Sequence, residues 1–341
     1  KTEELELKIY QAVKAAIRPE IAAMQRTAKA LAALDCLTGL SRAALKDRYV
    51  RPQITNSREG RISIHDGRHP MVEHALKREM FVPNDTELNH TDQEMIIITG
   101  PNMAGKSTYM RQVAVLTIMA QTGSFIPAKS ASFAPVDRIF TRVGAADDIS
   151  TGQSTFMVEM KEVSHILCNA TKNSLILLDE IGRGTSTYDG MSIARAVVEY
   201  LNSKVHAYTL FATHYHELSD MAAENEHIKN YTVTVKERGK EITFLRRIVP
   251  GSADKSYGIH VARLAGLPES LLKRADEILE GLEVEGIKEE PAAPVIRRKT
   301  ALNLFSSPII DELADLDVMS KTPIEAMEIL FRLSKEAKEG R

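Results

Sequence analysis

The sequence lacks most features of secreted, membrane and disulfide-rich proteins. Its 341 residues contain no tryptophan and two cysteines, Cys36 and Cys168. Two cysteines without metal-like spacing build neither a disulfide framework nor a thiolate metal site, so we expect buried free thiols in a reducing compartment. No apolar run approaches membrane-spanning length, and no signal peptide is visible. These absences favour a soluble globular protein and exclude a membrane partner.

The chain also lacks an excess of either positive or negative charge. Lysine and arginine total 44, aspartate and glutamate total 46, and the net charge is −2. A chain without a dominant basic surface is not by itself an obvious nucleic-acid binder, although local basic patches remain open. The length suits one large domain with accessories, or two domains. Because the chain begins at Lys1 inside a helical pattern, we expect it to be a fragment of a longer protein.

The most informative segment that is present reads GPNMAGKS and follows the apolar run Met95–Thr99. Its residues are Gly100, Pro101, Asn102, Met103, Ala104, Gly105, Lys106 and Ser107. This spacing, between a strand and a helix, is typical of a phosphate-binding loop. The glycines let backbone N–H groups turn around an anion, Lys106 adds a positive charge, and Ser107 offers a hydroxyl to Mg²⁺. We therefore predict binding of ATP or GTP.

A second apolar run, Leu175–Leu178, ends in Asp179 and Glu180. Paired with a phosphate loop, this pattern predicts that Asp179 holds Mg²⁺ and that Glu180 is the general base for the attacking water.

Two further side chains admit a structural and a functional interpretation. His214 follows the apolar run 209–213, where it either reaches the γ-phosphate or is an ordinary structural histidine. Ser154 suits the N-cap of a helix, with Met157 at the third helical position. If that helix end faces a second subunit, it is an anion site for the nucleotide of that subunit. The glycine-rich stretch 182–190 is either a tight surface turn or a subunit contact.

Hydrophobic periodicity divides the chain into regions. Residues 1–48 read as helical, with a stripe at Leu5, Ile9, Val13 and Ile17 that packs on a second helix or on a neighbouring domain. From 95 to 213 the pattern alternates: strand 95–99, helix 106–121, strand 174–179, helix 189–202, strand 207–213. Such alternation argues for an α/β domain with a mostly parallel sheet. A hairpin over 231–235 and 241–249 and a helix over 268–281 follow.

The C-terminal part has a different composition. Residues 284–307 are rich in glutamate and proline and then basic, which is typical of a linker. Thr322 to Glu325 form a capping box that opens a helix of a short helical pair. We predict four segments: N-terminal helices 1–51, an α/β domain 52–283, a linker 284–307 and a C-terminal helical segment 308–341.

Together these stretches closely resemble the bacterial MutS family, the DNA mismatch-repair ATPases of the ABC superfamily. The blocks that carry the resemblance are GPNMAGKSTYMRQ at 100–112, FTRVGAADD at 140–148, GQSTFMVEM at 152–160, LLDEIGRGTSTYDGMSIA at 177–194, THYHEL at 213–218 and KSYGIHVARLAGLP at 255–268. The resemblance implies an α/β ABC-type P-loop NTPase domain, preceded by the end of the lever helices and followed by a small helical tail.

The resemblance also implies roles for single residues. Two ATPase domains pair head-to-tail so that each ATP is sandwiched, and Ser154 acts on the nucleotide of the other subunit. His214 is the switch histidine. Phe81 matches the position that stacks on adenine; without the resemblance, Phe81 is most simply a core residue.

The partners implied are a second copy through the ATPase domain, a higher oligomer through the C-terminal helices, mismatched DNA in the full-length protein and the repair protein MutL. The implied location is the bacterial cytoplasm, in association with the nucleoid. Residues 301–305 resemble a sliding-clamp peptide, but Ala301 replaces its glutamine, which argues against clamp binding.

Two other functions remain open. One is a DNA-processing ATPase of the structural-maintenance-of-chromosomes class, which requires long heptad arms that are not seen between the two ATPase halves here. The other is a dimerisation platform that binds nucleotide without turnover, against which Glu180 beside Asp179 argues.

Overall fold

A computed structural model describes residues 1–56, 60–76, 80–101, 104–143, 154–238, 241–252 and 257–286. The chain divides into two units, Lys1–Ile278 and Leu279–Arg341. The helices and strands described below lie in the first unit, except that the last helix extends past Ile278. Most of the predicted linker and the whole predicted C-terminal helical pair lie outside the described residues. Within the described part of the chain, no helix is both long and apolar enough to cross a membrane.

The first 47 residues form two long helices, as predicted. Helix α1 spans Thr2–Ile17 and helix α2 spans Ile21–Asp47, joined by a 3-10 turn over Arg18–Glu20. Pro19 lies in the first turn of that short segment, where its missing N–H costs no hydrogen bond. Helix α1 has no buried residue, and α2 buries Ala44 alone.

A small mixed sheet follows these helices. Its strands are β1 (Gln53–Ile54), β2 (Arg61–Gly67), β3 (Asn84–Asn89) and β5 (Ser130–Phe133), in the order β1-β5-β2-β3. Helix α3 (Pro70–Ala75) lies between β2 and β3 in the chain. The inward residues of β2 and β3, Ile62, Ile64 and Leu88, are fully buried and join the main core.

The main sheet has six strands in the order β10-β9-β4-β8-β7-β6. Strands β4 (Met95–Thr99), β6 (Ile139–Arg142), β7 (Leu175–Asp179), β8 (Tyr208–Ala212) and β9 (Ile228–Arg238) are parallel, and β10 (Glu241–Pro250) is antiparallel to β9. The predicted hairpin is confirmed, with both strands longer than expected.

Both faces of the parallel strands are covered, which explains their unbroken apolar sequences. Ile96 and Ile98 of β4 pack in one core with helix α4 (Lys106–Gln121). Ile97, on the opposite face, packs in a second core with α5 (Thr155–Asn169) and α6 (Thr187–Tyr200), since successive strand residues point to opposite faces. The predicted α/β architecture with a mostly parallel sheet is confirmed.

The remaining helical segments are short, apart from the last. A π-helical turn over Leu201–Val205 extends α6, and a 3-10 turn over His216–Asp220 precedes α7 (Met221–Glu224). Helices α8 (Gly258–Leu264) and α9 (Glu269–Gly286) follow the hairpin.

The prediction that both thiols are buried is wrong. Cys36 and Cys168 are free, and both are exposed. Cys36 lies on α2, which buries little of its surface, and Cys168 lies outside the buried positions of α5, which are Glu159, Val163 and Ile166. A helical apolar pattern identified the helices correctly but not the faces that turn inward.

Candidate active site

The predicted phosphate loop lies between β4 and α4, and both elements have the predicted bounds. Gly100 has φ +131° and Gly105 has φ +104°, a backbone region that favours glycine. Helix α4 begins at Lys106, so its first backbone N–H groups point toward the space that the loop encloses. Asn102 and Met103 lie outside the described residues, and Ala104 is fully buried.

The side chain of Lys106 is folded back onto the loop. Its ammonium donates hydrogen bonds to the carbonyl oxygens of Gly100 (2.6 Å) and Pro101 (3.0 Å), and the residue is 4% exposed. Burial lowers the pKa of Lys106 to about 8, against the opposing charges of Glu180 and Asp179. The loop therefore holds a buried cation whose present partners are neutral carbonyls, an arrangement that favours an incoming anion.

Asp179 ends strand β7 and faces this loop. Burial raises the pKa of its carboxyl, the charge of Glu180 adds to that effect, and a hydrogen bond from Ser107 and the charge of Lys106 oppose it. Its Oδ1 atom is buried without a hydrogen-bond partner among the described residues. A carboxylate with an unused oxygen beside a serine hydroxyl provides the oxygen ligands that Mg²⁺ prefers.

Glu180 follows Asp179 with φ +59°, an uncommon conformation for a residue other than glycine. Its Oε1 atom lies 2.8 Å from Nε2 of His214, and Arg183 donates to its Oε2 atom. The pKa of Glu180 is lowered, chiefly by the hydrogen bond with His214 and also by the charges of Arg183 and Lys106, which outweigh partial burial. Glu180 is therefore ionised at neutral pH and can accept protons in hydrogen bonds.

Parallel strand pairing accounts for the meeting of these residues. Strand β8 lies between β4 and β7, with Ala212 opposite both Ile98 and Asp179. The carboxyl ends of the three strands thus reach the same edge of the sheet, which is where ligands bind in open α/β sheets. The predicted phosphate-binding, metal-binding and catalytic side chains meet at this edge: Lys106, Ser107, Asp179, Glu180 and His214. His214 contacts Glu180, and its contact with a γ-phosphate stays a prediction.

Ser154 caps helix α5, as predicted. Its backbone is extended, its Oγ atom accepts the Met157 N–H at 3.2 Å, and the residue is exposed. The described residues thus leave the N-terminus of α5 at the protein surface, and the role of Ser154 toward a second subunit stays a prediction.

Phe81 is half-buried beside the loop. It lines a cavity of about 160 Å³ together with Gly105, Thr108 and Gln112, which lie on one face of the loop and α4. Both polar atoms of the Gln112 amide are buried without a hydrogen-bond partner among the described residues. An aromatic ring at a cavity beside the loop suits a purine base, which has a flat face.

Sequence reasoning missed a buried ion pair behind the site. Glu159 of α5 accepts the Gly182 N–H on Oε1 (2.6 Å), and its Oε2 atom lies 3.4 Å from Nη2 of Arg142. Both side chains are under 10% exposed. A signal existed: Glu159 stands four and seven residues before Val163 and Ile166, on the apolar face of an otherwise amphipathic helix. A carboxylate in that position requires a buried partner.

Comparison with known proteins agrees with the resemblance seen in the motifs. A family described as MutS domain V matches residues 96–283. The chain is similar to the DNA mismatch repair protein MutS of Acetivibrio thermocellus, with 50% identity over 347 residues. It is also similar to the MutS proteins of Methanococcoides burtonii (50% identity) and Caldicellulosiruptor bescii (52% identity). Each alignment covers 98% of this chain and 40% of the relative, so the chain spans about two fifths of these relatives.

Proposed function

Because this chain belongs to the MutS family of DNA mismatch repair proteins, we propose that it is the ATP-binding and ATP-hydrolysing module of a mismatch-recognition protein. The observation that carries the proposal is the meeting of a phosphate loop with Asp179 and Glu180 at one edge of a parallel sheet. The proposed fold is the ABC-type P-loop NTPase fold. Residues 1–51 are the proposed end of its lever helices.

ATP is the proposed substrate. Its phosphates lie in the loop 100–107 against the first turn of α4, and its adenine stacks on Phe81 in the adjoining cavity. On binding, the Lys106 ammonium exchanges its two carbonyl partners for phosphate oxygens, which are better acceptors because they are charged. Ser107 and Asp179 hold Mg²⁺, which neutralises phosphate charge when bound.

Hydrolysis uses Glu180 as the general base. Its carboxylate is ionised, and each oxygen retains a free lone pair after its bond with His214 or Arg183. It accepts a proton from the attacking water while His214, at 2.8 Å, holds the carboxylate in place. His214 is also the proposed switch residue toward the γ-phosphate.

The proposed assembly is a head-to-tail dimer in which each ATP lies between two copies. The exposed N-terminus of α5 then brings Ser154 to the γ-phosphate of the other copy. We divide the chain into lever-end helices 1–51, the ATPase domain 52–283, a linker 284–307 and a C-terminal segment 308–341 that promotes higher oligomers.

In the full-length protein, ATP binding and hydrolysis switch the dimer between DNA-bound states. The partners proposed there are mismatched DNA and MutL, in the bacterial cytoplasm near the nucleoid. The similarity to DNA mismatch repair proteins supports this role.

Steady-state phosphate release from ATP tests the enzymatic part of the proposal. We expect Mg²⁺-dependent release that falls to background when EDTA is added. Nucleotide binding by calorimetry without any phosphate release would favour the alternative of a nucleotide-binding dimerisation platform.

A further inference from the structure

We propose that Glu159 is a positioning residue that joins helix α5 to the turn carrying Glu180, so that the partner-facing end of α5 sets the catalytic base. The proposal rests on the proposed ATPase function. It names no new contact with substrate; Glu159 acts through the backbone of Gly182.

Burying the carboxylate of Glu159 costs free energy. The residue is 5% exposed and lies on the inward face of α5 with Val163 and Ile166. A buried carboxylate persists only when hydrogen bonds and an opposite charge compensate its lost hydration. Glu159 obtains both: the Gly182 N–H at 2.6 Å and the Arg142 guanidinium at 3.4 Å.

Gly182 lies next to the proposed base in the chain. It comes two residues after Glu180, and both residues have positive φ, +59° for Glu180 and +90° for Gly182. A left-handed conformation at a non-glycine residue costs free energy and persists only where its surroundings hold it. The bond to Glu159 is one such restraint, because it immobilises the backbone immediately beyond the base.

Close packing supplies further restraints on the same turn. A Cβ atom on Gly182 would lie 2.4 Å from the carbonyl oxygen of Gly190, and one on Gly184 would lie 2.9 Å from Cβ of Phe156. Phe156 and Glu159 are on successive positions of the same helical face, three residues apart. Helix α5 thus contacts the turn twice, once by packing and once by a charge-assisted hydrogen bond.

The N-terminal end of α5 carries Ser154. Ser154 caps the helix five residues before Glu159. Contact between Ser154 and the ATP of a partner copy restrains α5, and a restrained α5 holds Gly182 and the Glu180 carboxylate beside it. Occupancy of one nucleotide site therefore orders the base in the neighbouring site.

A matched control lies one turn further along α5. Glu162 also pairs with Arg142, with 2.9 Å between its Oε2 and the arginine Nε, but its side chain is 49% exposed. Among the described contacts, Gly182 N–H bonds to Glu159 and not to Glu162. Removing each carboxylate in turn separates the hydrogen bond to the catalytic turn from the charge on Arg142.

The experiment compares Glu159→Ala, Glu159→Gln and Glu162→Ala in the full-length protein. We expect Glu159→Ala to lower kcat about tenfold or more, the effect of losing one hydrogen bond to a charged group, and to change nucleotide Kd less than about threefold. Glu162→Ala stays within about twofold. Glu159→Gln regains most of kcat because its amide oxygen still accepts the Gly182 N–H. Equal losses in the two alanine variants, or no rescue by glutamine, would overturn the proposal.

A double-mutant cycle tests the link to Ser154. If Ser154 acts through Glu159, the Ser154→Ala and Glu159→Ala losses in kcat are not additive, and the double variant resembles Glu159→Ala alone. Additive losses would show independent actions and contradict the coupling.

Hydrogen exchange of the peptide spanning 180–186 gives a readout that needs no catalysis. Glu159→Ala is expected to increase its exchange, and Glu162→Ala is not. If the wild-type protein failed to hydrolyse ATP while this difference persisted, the proposed ATPase function would fail and the positioning contact would stand. If the protein hydrolysed ATP but Glu159→Ala left the hydrogen exchange of this peptide unchanged, the positioning role of Glu159 would be wrong and the ATPase function would stand. Should Glu159→Ala not fold, Glu159→Met against Glu162→Met carries the same comparison, because methionine keeps most of the side-chain volume but provides no oxygen to accept the Gly182 N–H.

Discussion

The carboxyl edge of the main sheet and the N-terminal helices show opposite uses of apolar sequence. In β4 and β7 the apolar residues are fully buried, and the chain itself supplies both covering layers. In α1 the stripe of Leu5, Ile9, Val13 and Ile17 is as regular, yet these side chains are 45–59% exposed. A periodic pattern therefore predicts the element in both regions but the covering partner in only one.

This difference has a physical origin. A strand between two parallel neighbours forms its backbone hydrogen bonds with those strands, and helices of the same domain cover both of its faces. Its apolar side chains therefore pack within the domain. A long helix satisfies its backbone by itself and can present a stripe to anything outside it. Two interpretations of the α1 stripe were packing on a second helix and packing on a neighbouring domain. Because its side chains are exposed, we keep the second interpretation as the prediction.

The largest contrast is expected in stability. Ile97→Ala in β4 should lower the free energy of unfolding by about 2–5 kcal/mol, because it leaves a cavity in a packed core. Ile9→Ala, at 57% exposure, should change it by less than about 0.5 kcal/mol. Denaturant unfolding of the 341-residue chain measures both. Similar losses in the two variants would show that the α1 stripe is covered in solution.

At the sheet edge, Glu180→Gln should slow hydrolysis by about 10²-fold or more while ATP still binds, the usual scale for losing a positioned base. The variant should also accumulate as an ATP-bound dimer, because closure precedes cleavage. Glu199→Gln, an exposed change on α6, is the control. Phosphate release measures the hydrolysis rate, and size-exclusion chromatography with ATP measures the fraction of dimer. Wild-type turnover in Glu180→Gln would move the role of base elsewhere, with His214 next in line.

Lys106→Ala should weaken nucleotide binding by about 10- to 100-fold, since a charged hydrogen bond to phosphate is lost. Lys129→Ala removes an equal charge from an exposed position and should have no effect. Calorimetry with ATP measures both affinities. Unchanged nucleotide affinity in Lys106→Ala would contradict the assignment of the loop 100–107 to the nucleotide site.

The pKa of Lys106 predicts a pH dependence of metal-free nucleotide binding. Phosphate raises the pKa of Lys106 above its free value of about 8. Below pH 8 the amine is protonated in both states and affinity is constant. Above pH 8 binding must take up a proton, so affinity falls by up to about tenfold per pH unit. Titration in EDTA should show this fall in the wild type and not in Lys106→Ala. An identical slope in both would assign the titration to another group.

The smallest effect is expected at the surface. Ser154→Ala should lower hydrolysis about two- to tenfold, the range for one neutral hydrogen bond, and only at concentrations where the dimer forms. Ser154→Gly is the control for helix capping, since glycine is tolerated at an N-cap and also lacks the hydroxyl. The two variants should lose the same activity despite different stabilities. A loss that persists on dilution to monomers would contradict action on a partner copy.

Much of the site was predictable because its signals are local. The predicted phosphate loop has positive φ at Gly100 and Gly105, which favours glycine there, and the acids at the end of β7 follow an apolar run that is typical of a buried strand. The cap at Ser154 was readable for the same reason, since it involves Met157 three residues away. Even the meeting of strand ends followed from the parallel sheet.

The parts that escaped prediction depend on distant contacts. The bond between Glu159 and Gly182 spans 23 positions in the chain, and the cavity at Phe81 forms where residues 81–82 approach α4. The exposure of Cys36 and Cys168 likewise depends on which helix face meets the sheet.

The order of helices and strands, the glycine-rich loop 100–107 and the two acids after β7 could be read from the residues alone, because spacing and backbone sterics act within a few residues. The partners of the buried charges depend on the fold: His214 and Arg183 on Glu180, the carbonyls on Lys106, and Arg142 with Gly182 on Glu159. Buried charges take whichever partner the packing brings within hydrogen-bond distance, and that distance depends on the whole fold rather than on neighbours in the chain.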